Sequence, residues 1–536
     1  MPISHLPTMM LVIGYCVYWL ELFIISPGKS HTSFLAAGLF IFLCVCILSI
    51  NISKLKYIQN DIRNFLALEF LSKGIVVTGG VLSLAILIIA CKAALLPPHL
   101  MQEFDAINYH ITIPKQHLLM GAFAHIPWSL ADLYFLPVDY ALAPYWLVTE
   151  LPNKFPQFIF LLGLLAVVKG LLKELGRGDL LSKMLMVFAI LGTHCIAIQM
   201  GLAMLDLVLC YLFLAALDSL LKGRIILCAI EFSFYFWSKS FAPIQIGLIM
   251  VLLFVGVYIF RRRGFRRIGL IANEHLNVGL QLQHQVNLKK GIAPFIIMSL
   301  LIGGPFVGKS LLYANTPLFP FYPGVVNFSK KIDQNSKAWI SLKEKAEQAV
   351  ATKDQYGSGR GVGEFLKHFW LLAVPEKGVN NRYDYPVGLV YLLCLLPFLR
   401  ILFNSLKNNE ILFLPLLVVL FWLTWWLGSH QSRFLFIPLI LMYISVISQK
   451  KFQTIFFQLG IILSLSLVLL SVYRAHRGDF NKKAFEVIRS QDKQLLEMAK
   501  IYKGEGIVIL DDFDVAFANF PVDVRNINSV FVIQRD

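Results

Sequence analysis

The amino-acid sequence predicts an all-α polytopic membrane protein, and two features of its composition support this prediction. Of the 536 residues, 57% are hydrophobic and only 15% are charged, whereas a typical soluble domain carries about 25% charged residues. The hydrophobic residues also gather in runs of about 20, the length that a helix needs to cross a bilayer. A cytosolic enzyme, a disordered chain and a disulfide scaffold are therefore excluded.

About thirteen apolar runs are candidates for membrane-spanning helices. They cover residues 9–26, 34–50, 75–96, 155–173, 184–199, 201–221, 225–240, 242–260, 291–311, 386–404, 411–428, 434–449 and 452–472. We do not expect the first run to be a cleaved signal sequence, because it contains Glu21 and no basic residues precede it.

The net charge of +16 comes from Lys and Arg residues that concentrate in short loops between these runs. Short basic loops face the cytoplasm. With thirteen spans and a cytoplasmic N-terminus, all of these loops fall on that side, as in a bacterial plasma (inner) membrane protein. The basic loops lie at 51–74, 169–183, 222–224, 261–267, 289–290, 407 and 450–451. The positive charge thus indicates topology and not a nucleic-acid partner.

The same topology divides the chain into two parts. Residues 1–472 form a transmembrane domain with a first outer loop at 97–153 and a second large outer loop at 312–385. Residues 473–536 form a small extracytoplasmic α/β segment, because a helix-like stretch is followed by strand-like runs at 506–510 and 530–533.

The first outer loop holds the richest group of polar side chains. Glu103, Asp105, Asn108, Tyr109 and His110 lie within eight residues, just after an apolar run. Ionisable groups at the mouth of a span indicate a candidate site, and this set can bind a hydroxylated ligand. The alternative is that Asp105 only caps the helix that follows it.

The order of features in this loop resembles the first luminal loop of the GT-C glycosyltransferases. An acid at its start is followed by Gly121, by Pro127 and by a re-entry segment beginning Leu136-Pro137-Val138. The resemblance is more specifically to the protein O-mannosyltransferase and aminoarabinose-transferase branch, which is glycosyltransferase family 39-like. It implies that Asp105 is catalytic. The chain departs from the branch at Ala106, where a second acid often follows, and at 136–138, where the branch has Lys-Pro-Pro.

Further motifs along the chain resemble the same family. Asp206 lies in the stretch 199–207 that opens the sixth run and matches the family's second acidic position, although an acid at a helix start is also favoured by the helix dipole. Lys239 ends the seventh run, and Arg433 follows His430 in an Arg-aromatic-x-x-Pro entry to a late span. The alternative for both cations is that they only snorkel to the membrane surface.

The resemblance implies an enzyme that transfers a sugar from a polyprenyl-phosphate donor to an acceptor hydroxyl outside the cytoplasm. Asp105 is the expected general base, and the acceptor is a glycan, a lipid or a protein. The substrate-binding residues are expected to be Glu103, Tyr109, His110, Asp206, Lys239, His430 and Arg433. No cofactor is assigned; Glu103 and Asp105 leave a divalent metal open. Besides these ligands, the expected partners are membrane lipids.

Two other functions compete with this interpretation. An O-antigen polymerase or ligase usually carries Arg and His in a large late outer loop, and the loop at 312–385 holds Arg360, His368 and Arg382. A transporter or flippase of lipid-linked glycans would place polar residues at mid-membrane. Few ionisable residues lie in the middle of the apolar runs, Glu231 being one, which argues against a transporter. The acid in the large first outer loop favours the glycosyltransferase over a polymerase or ligase.

Overall fold

Six helices are long and apolar enough to cross a membrane, in the part of the chain that the computed structural model describes. A seventh span is counted if two consecutive helices, bent by 116° at Ser238–Ser240, cross together. The structure describes residues 3–24, 38–41, 56–96, 98, 103, 105–126, 129–147, 154–262, 267–269, 288–326, 336–351, 355–373, 383–408, 410–476, 507–510 and 530–533.

The first half of the chain forms short outer helices between longer spans. In order, the helices are α1 (Leu6–Ile24), α2 (Lys56–Leu66), α3 (Phe70–Ala94), α4 (Thr112–Met120), α5 (Pro137–Trp146), α6 (Phe155–Glu174), α7 (Leu180–Leu191), α8 (His194–Gln199), α9 (Asp206–Leu221), α10 (Ile225–Trp237) and α11 (Phe241–Arg262). A π-helical turn, Ala106–His110, precedes α4.

The second half continues the bundle and adds four short strands. Its helices are α12 (Leu288–Ala314), α13 (Lys337–Ala351), α14 (Val362–Leu371), α15 (Leu389–Lys407), α16 (Phe413–Leu427), α17 (Phe436–Ile447) and α18 (Ile455–His476). The strands pair in parallel, β1 (Arg267–Gly269) with β2 (Glu410–Leu412) and β3 (Ile507–Leu510) with β4 (Val530–Ile533).

The all-α polytopic fold expected from composition is confirmed. The full-length spans α1, α3, α6, α12, α15 and α18 each coincide with a predicted apolar run. The run at 34–50 lies largely outside the described residues, so the count of thirteen stays a prediction. The same holds for the extracytoplasmic placement of 473–536, of which only β3 and β4 and the end of α18 are described.

Helices α9 and α17 form the centre of the core. Residues 206–219 of α9 and all of α17 are buried, because α9 packs against α6, α10 and α17. At the outer side α1 crosses α5 very closely, since a Cβ on Gly14 would lie 1.9 Å from the carbonyl oxygen of Ala141. The N-terminal ends of α9 and α17 meet at the side that the topology predicts to be outside, since Asp206 and Arg433 lie 3.8 Å apart there.

A polar cluster marks the opposite end of α9. Glu231, the ionisable residue that the sequence places inside a span, accepts hydrogen bonds from His5 at 2.6 Å and from Ser219 at 2.7 Å. His5 also lies 3.1 Å from Asp218, and all three ionisable side chains are fully buried. The chain before α1 is thus fixed to α9 and α10.

Candidate active site

Arg433 is the centre of a group of charged side chains at the outer ends of the core helices. It lies in the short turn that leads into α17, and its Nη1 donates to Asp105 Oδ2 at 2.9 Å. Its Nε lies 3.1 Å from Asp384 Oδ2 and 3.8 Å from Asp206 Oδ2. Lys239 completes the group through an ion pair with the other oxygen of Asp206. The structure therefore brings together four predicted site residues.

Each of these side chains is placed by the end of a helix. Asp206 is the first residue of α9, and Lys239 lies in the sharp bend between α10 and α11. Lys239 Nζ also lies 4.3 Å from the ring centroid of Phe434, a cation–π distance. Asp105 precedes the π turn of the first outer loop. Three chain segments at helix ends thus bring these charged side chains together.

Asp384 belongs to this group although the sequence analysis did not select it. It is a non-glycine residue with φ of +73°, in the left-handed region that costs most residues free energy. Two backbone contacts hold it opposite Arg433: Ser432 N–H donates to Tyr383 O at 2.8 Å, and Tyr385 N–H donates to Ser432 Oγ at 3.3 Å.

Burial and the neighbouring charges shift the acids in opposite directions. Burial alone would raise the pKa of Asp105, but the charges of Arg433, His110 and Lys239 outweigh it and hold that pKa below its ordinary value. Burial raises the pKa of Asp384, with Asp206 and Asp105 adding to the shift. Acids with divergent pKa values in one cluster are typical of catalytic sites.

Tyr109 and His110 lie on the π turn beside Asp105. His110 Nδ1 donates to Asp139 Oδ1 at 2.7 Å. The ring of Tyr109 lies 4.2 Å from that of His110 and 6.0 Å from that of Tyr134. Asp139, a second residue that the sequence analysis did not select, is fully buried in α5.

Glu103 forms a buried ion pair with Lys154. Its fully buried carboxylate accepts from Lys154 Nζ at 2.8 Å and from the backbone N–H of Ala203 at 2.6 Å. These contacts tie the start of the first outer loop to the segment before α9. Such contacts are typical of a residue that positions a loop. The substrate-binding role of Glu103 stays a prediction.

His430 contacts Arg360 and two aromatic rings. Arg360 Nη1 lies 2.9 Å from His430 Nε2, and the ring of His430 stacks on Trp426 at 4.3 Å and on Tyr383 at 6.4 Å. His430 therefore borders the site through Tyr383, the neighbour of Asp384. In the polymerase interpretation His368 was a candidate, and it bonds Trp422 Nε1 at 2.7 Å; Arg382 lies outside the described residues.

A second buried polar network fixes the first outer loop on α12. Asp132 forms an ion pair with Lys309, accepts from His125 at 2.8 Å and lies 3.1 Å from His117. His117 Nδ1 lies 2.5 Å from the hydroxyl of Tyr140, and its Nε2 lies 2.7 Å from Ala124 O. Burial opposes ionisation of Asp132, but His117, His125 and Lys309 hold its pKa well below the ordinary range.

No metal-binding group emerges within the ranges that the structure describes, where no three His, Cys, Asp or Glu side chains are arranged to hold an ion. The divalent metal that the sequence leaves open stays untested.

Comparison with known proteins gives a fold likeness. No family model matches the chain, and no curated protein matches it. Among solved structures it is similar to the crystal structure of ArnT from Cupriavidus metallidurans bound to undecaprenyl phosphate, with 12% identity, a TM-score of 0.48, and coverage of 84% of this chain and 85% of that chain. This similarity assigns no residue a role.

Proposed function

We propose that this chain is an integral-membrane glycosyltransferase of the bacterial plasma membrane. It transfers a sugar from a polyprenyl-phosphate donor to an acceptor hydroxyl on the extracytoplasmic side, with Asp105 as general base. The observation that supports the proposal is the meeting of Asp105, Asp206, Lys239 and Arg433 in one cluster. These residues are distant in sequence, and each lies in a motif that resembles the GT-C family.

The cluster has the groups that the reaction needs. Arg433 and Lys239 can bind a phosphate oxygen through charge-assisted hydrogen bonds. Asp105, held ionised by Arg433, can accept the proton of an acceptor hydroxyl. The acceptor oxygen then forms a bond to the anomeric carbon while the bond from that carbon to the phosphate oxygen breaks. The electron pair leaves with the phosphate, so the configuration inverts in a single displacement.

The charge balance of the cluster suits a diester donor. Three carboxylates face two cations, so the ionised cluster carries one net negative charge. A polyprenyl-phosphate sugar is a phosphodiester with one negative charge, whereas the monoester product carries about −1.5 to −2 at neutral pH. Repulsion therefore grows once the proton that Asp105 takes from the acceptor has left the cluster, which favours release of the polyprenyl phosphate.

The proposal is tested with the purified chain in liposomes. A radiolabelled polyprenyl-phosphate sugar is supplied together with glycan, lipid and protein acceptors, and transferred label is counted. We expect Asp105→Asn to lower kcat by about 10²–10⁴, the range for loss of a general base. Asp61→Asn is the matched control, because Asp61 is half-exposed on α2 and 3.9 Å from Lys183.

Two results would contradict the proposal. Transfer that is the same in Asp105→Asn as in the unmodified chain removes Asp105 as the base. Movement of the intact lipid-linked glycan across the bilayer, with no cleavage of the sugar–phosphate bond, identifies a transporter instead.

A further inference from the structure

We propose that His110, held by the buried carboxylate of Asp139, receives the proton that Asp105 takes from the acceptor hydroxyl. The inference rests on the proposed function and extends it to a proton path. In this path His110 is the relay residue and Asp139 is a positioning residue. Two observations support it: His110 ends a π turn that begins directly after Asp105 and is close enough for its charge to act on that carboxylate, and a buried acid orients its imidazole.

The π turn changes which residues share a face. In a regular α-helix successive residues are about 100° apart, so a residue five positions on lies about 140° around the axis. Here Ile111 N–H donates to Ala106 O, five residues back, at 2.9 Å. This wider turn brings His110 back toward the side of Asp105. Single π turns are rare and frequently occur at functional sites.

Asp139 is suited to stabilise a positive imidazole. Its Oδ1 accepts from His110 Nδ1 at 2.7 Å, and the side chain is fully buried. Its Oδ2 has no hydrogen-bond partner among the residues that the structure describes. A buried and incompletely bonded carboxylate is costly, and a positive charge on His110 reduces that cost. The bond at Nδ1 also directs the lone pair of the neutral imidazole to Nε2.

Asp105 needs such a partner because it is a weak base. Its carboxylate is bonded to Arg433 at 2.9 Å, and the resulting low pKa disfavours the protonated form. A base is most effective when its pKa lies near the working pH. In the relay, the proton moves from the acceptor oxygen to Asp105 as the new glycosidic bond forms. It then passes through one bridging water to His110 Nε2, and from there to solvent.

His117 provides a natural comparison within the same loop. It is also a buried histidine beside α5, but both of its ring nitrogens are engaged, Nδ1 with Tyr140 and Nε2 with Ala124 O and Lys309. His110 has one hydrogen bond, at Nδ1, within the described ranges. His117 therefore fits a structural role and serves as the control.

The experiment is chemical rescue in the liposome transfer assay. We expect His110→Gly to lower kcat about 10²-fold or more, and added imidazole to restore at least a tenth of the lost rate. Thiazole, which has a similar shape but is far less basic, should not restore it. Asp139→Asn should lower kcat about 10-fold. His117→Gly should show no rescue of transfer by imidazole, whatever its effect on thermal stability.

The outcomes separate the relay from the proposed function. If the unmodified chain transfers sugar, Asp105→Asn abolishes transfer and His110→Gly retains it, the glycosyltransferase stands and the relay is overturned. Equal rescue of His110→Gly and His117→Gly also overturns it. If the unmodified chain transfers no sugar, the proposed function fails and the relay fails with it. Should His110→Gly not fold, His110→Gln keeps the size and a donor toward Asp139, and must show the same loss of transfer.

Discussion

Replacing Glu103 by glutamine tests whether this residue positions the first outer loop or contacts substrate. The Glu103–Lys154 pair is buried, with 0% and 1% of the side chains exposed, and the two charges are 2.8 Å apart. Removing one partner of a buried pair leaves the other charge uncompensated and costs about 3–5 kcal/mol. The amide oxygen of the introduced side chain can still accept from Ala203 N–H, so we expect the lower end, about 3 kcal/mol.

This cost translates into a measurable melting shift. With an unfolding entropy of about 2.1 cal/mol/K per residue, a chain of 536 residues that unfolds as one unit has about 1.1 kcal/mol/K. The expected decrease in Tm is therefore about 3 °C, measured by intrinsic tryptophan fluorescence in detergent. Glu347→Gln is the matched control, because its pair with Lys343 is 4.0 Å long and exposed, and we expect no shift.

A double variant strengthens this test. Glu103→Gln together with Lys154→Met removes both charges, so its Tm should lie above that of Glu103→Gln alone. The positioning role would be refuted if Glu103→Gln melts like the unmodified chain and instead raises the KM for the donor. That result would support the direct substrate contact that the sequence predicts.

Further predictions concern Arg433 and Asp384. Arg433→Lys should lower kcat/KM about 30-fold or more, mainly by raising the KM for the donor. The guanidinium contacts both Asp105 and Asp384, and a single ammonium group cannot reach both. An unchanged KM for the donor would contradict a role of Arg433 in phosphate binding. Asp384→Asn should raise Tm at pH 7. Burial raises the pKa of Asp384, so its ionised form destabilises the fold, and the substitution removes that charge. Asn also tolerates the left-handed φ of +73° at this position. The gain should shrink as the pH falls through the raised pKa and vanish below about 4, the ordinary value for Asp; a gain that is independent of pH would show that charge is not its cause.

The sequence identified the cluster best where a residue marks the end of an apolar run. Asp206, Lys239 and Arg433 are such residues, and the topology alone puts their helix ends on one side. Asp384 was missed because its position depends on how the second outer loop returns to the core. The pattern of apolar residues in the sequence does not predict the path of a loop. The burial of Glu103 was equally invisible, since Lys154 is 51 residues away in the chain.

The departures from the family pattern gain meaning from the structure. Leu136-Pro137-Val138 replaces Lys-Pro-Pro, and the next residue, Asp139, binds His110. An acid inside an apolar re-entry segment is the signal that could have led to this pair. The tautomer and partner of His110 could not be predicted, because they depend on the packing of α5 against the π turn.

The π turn at Ala106–His110 also bears on how this loop could have arisen. A π turn holds one residue more than the α-helical turn it replaces, so it is equivalent to a single-residue insertion. Deleting one residue between Asp105 and His110 would restore α-helical geometry and leave the acid and the histidine four positions apart, on one face of the helix. Relatives that lack the extra residue would therefore align with a one-residue gap at this point. In such relatives, an acid and a histidine at matching positions would still share a face, at the α-helical spacing of four residues.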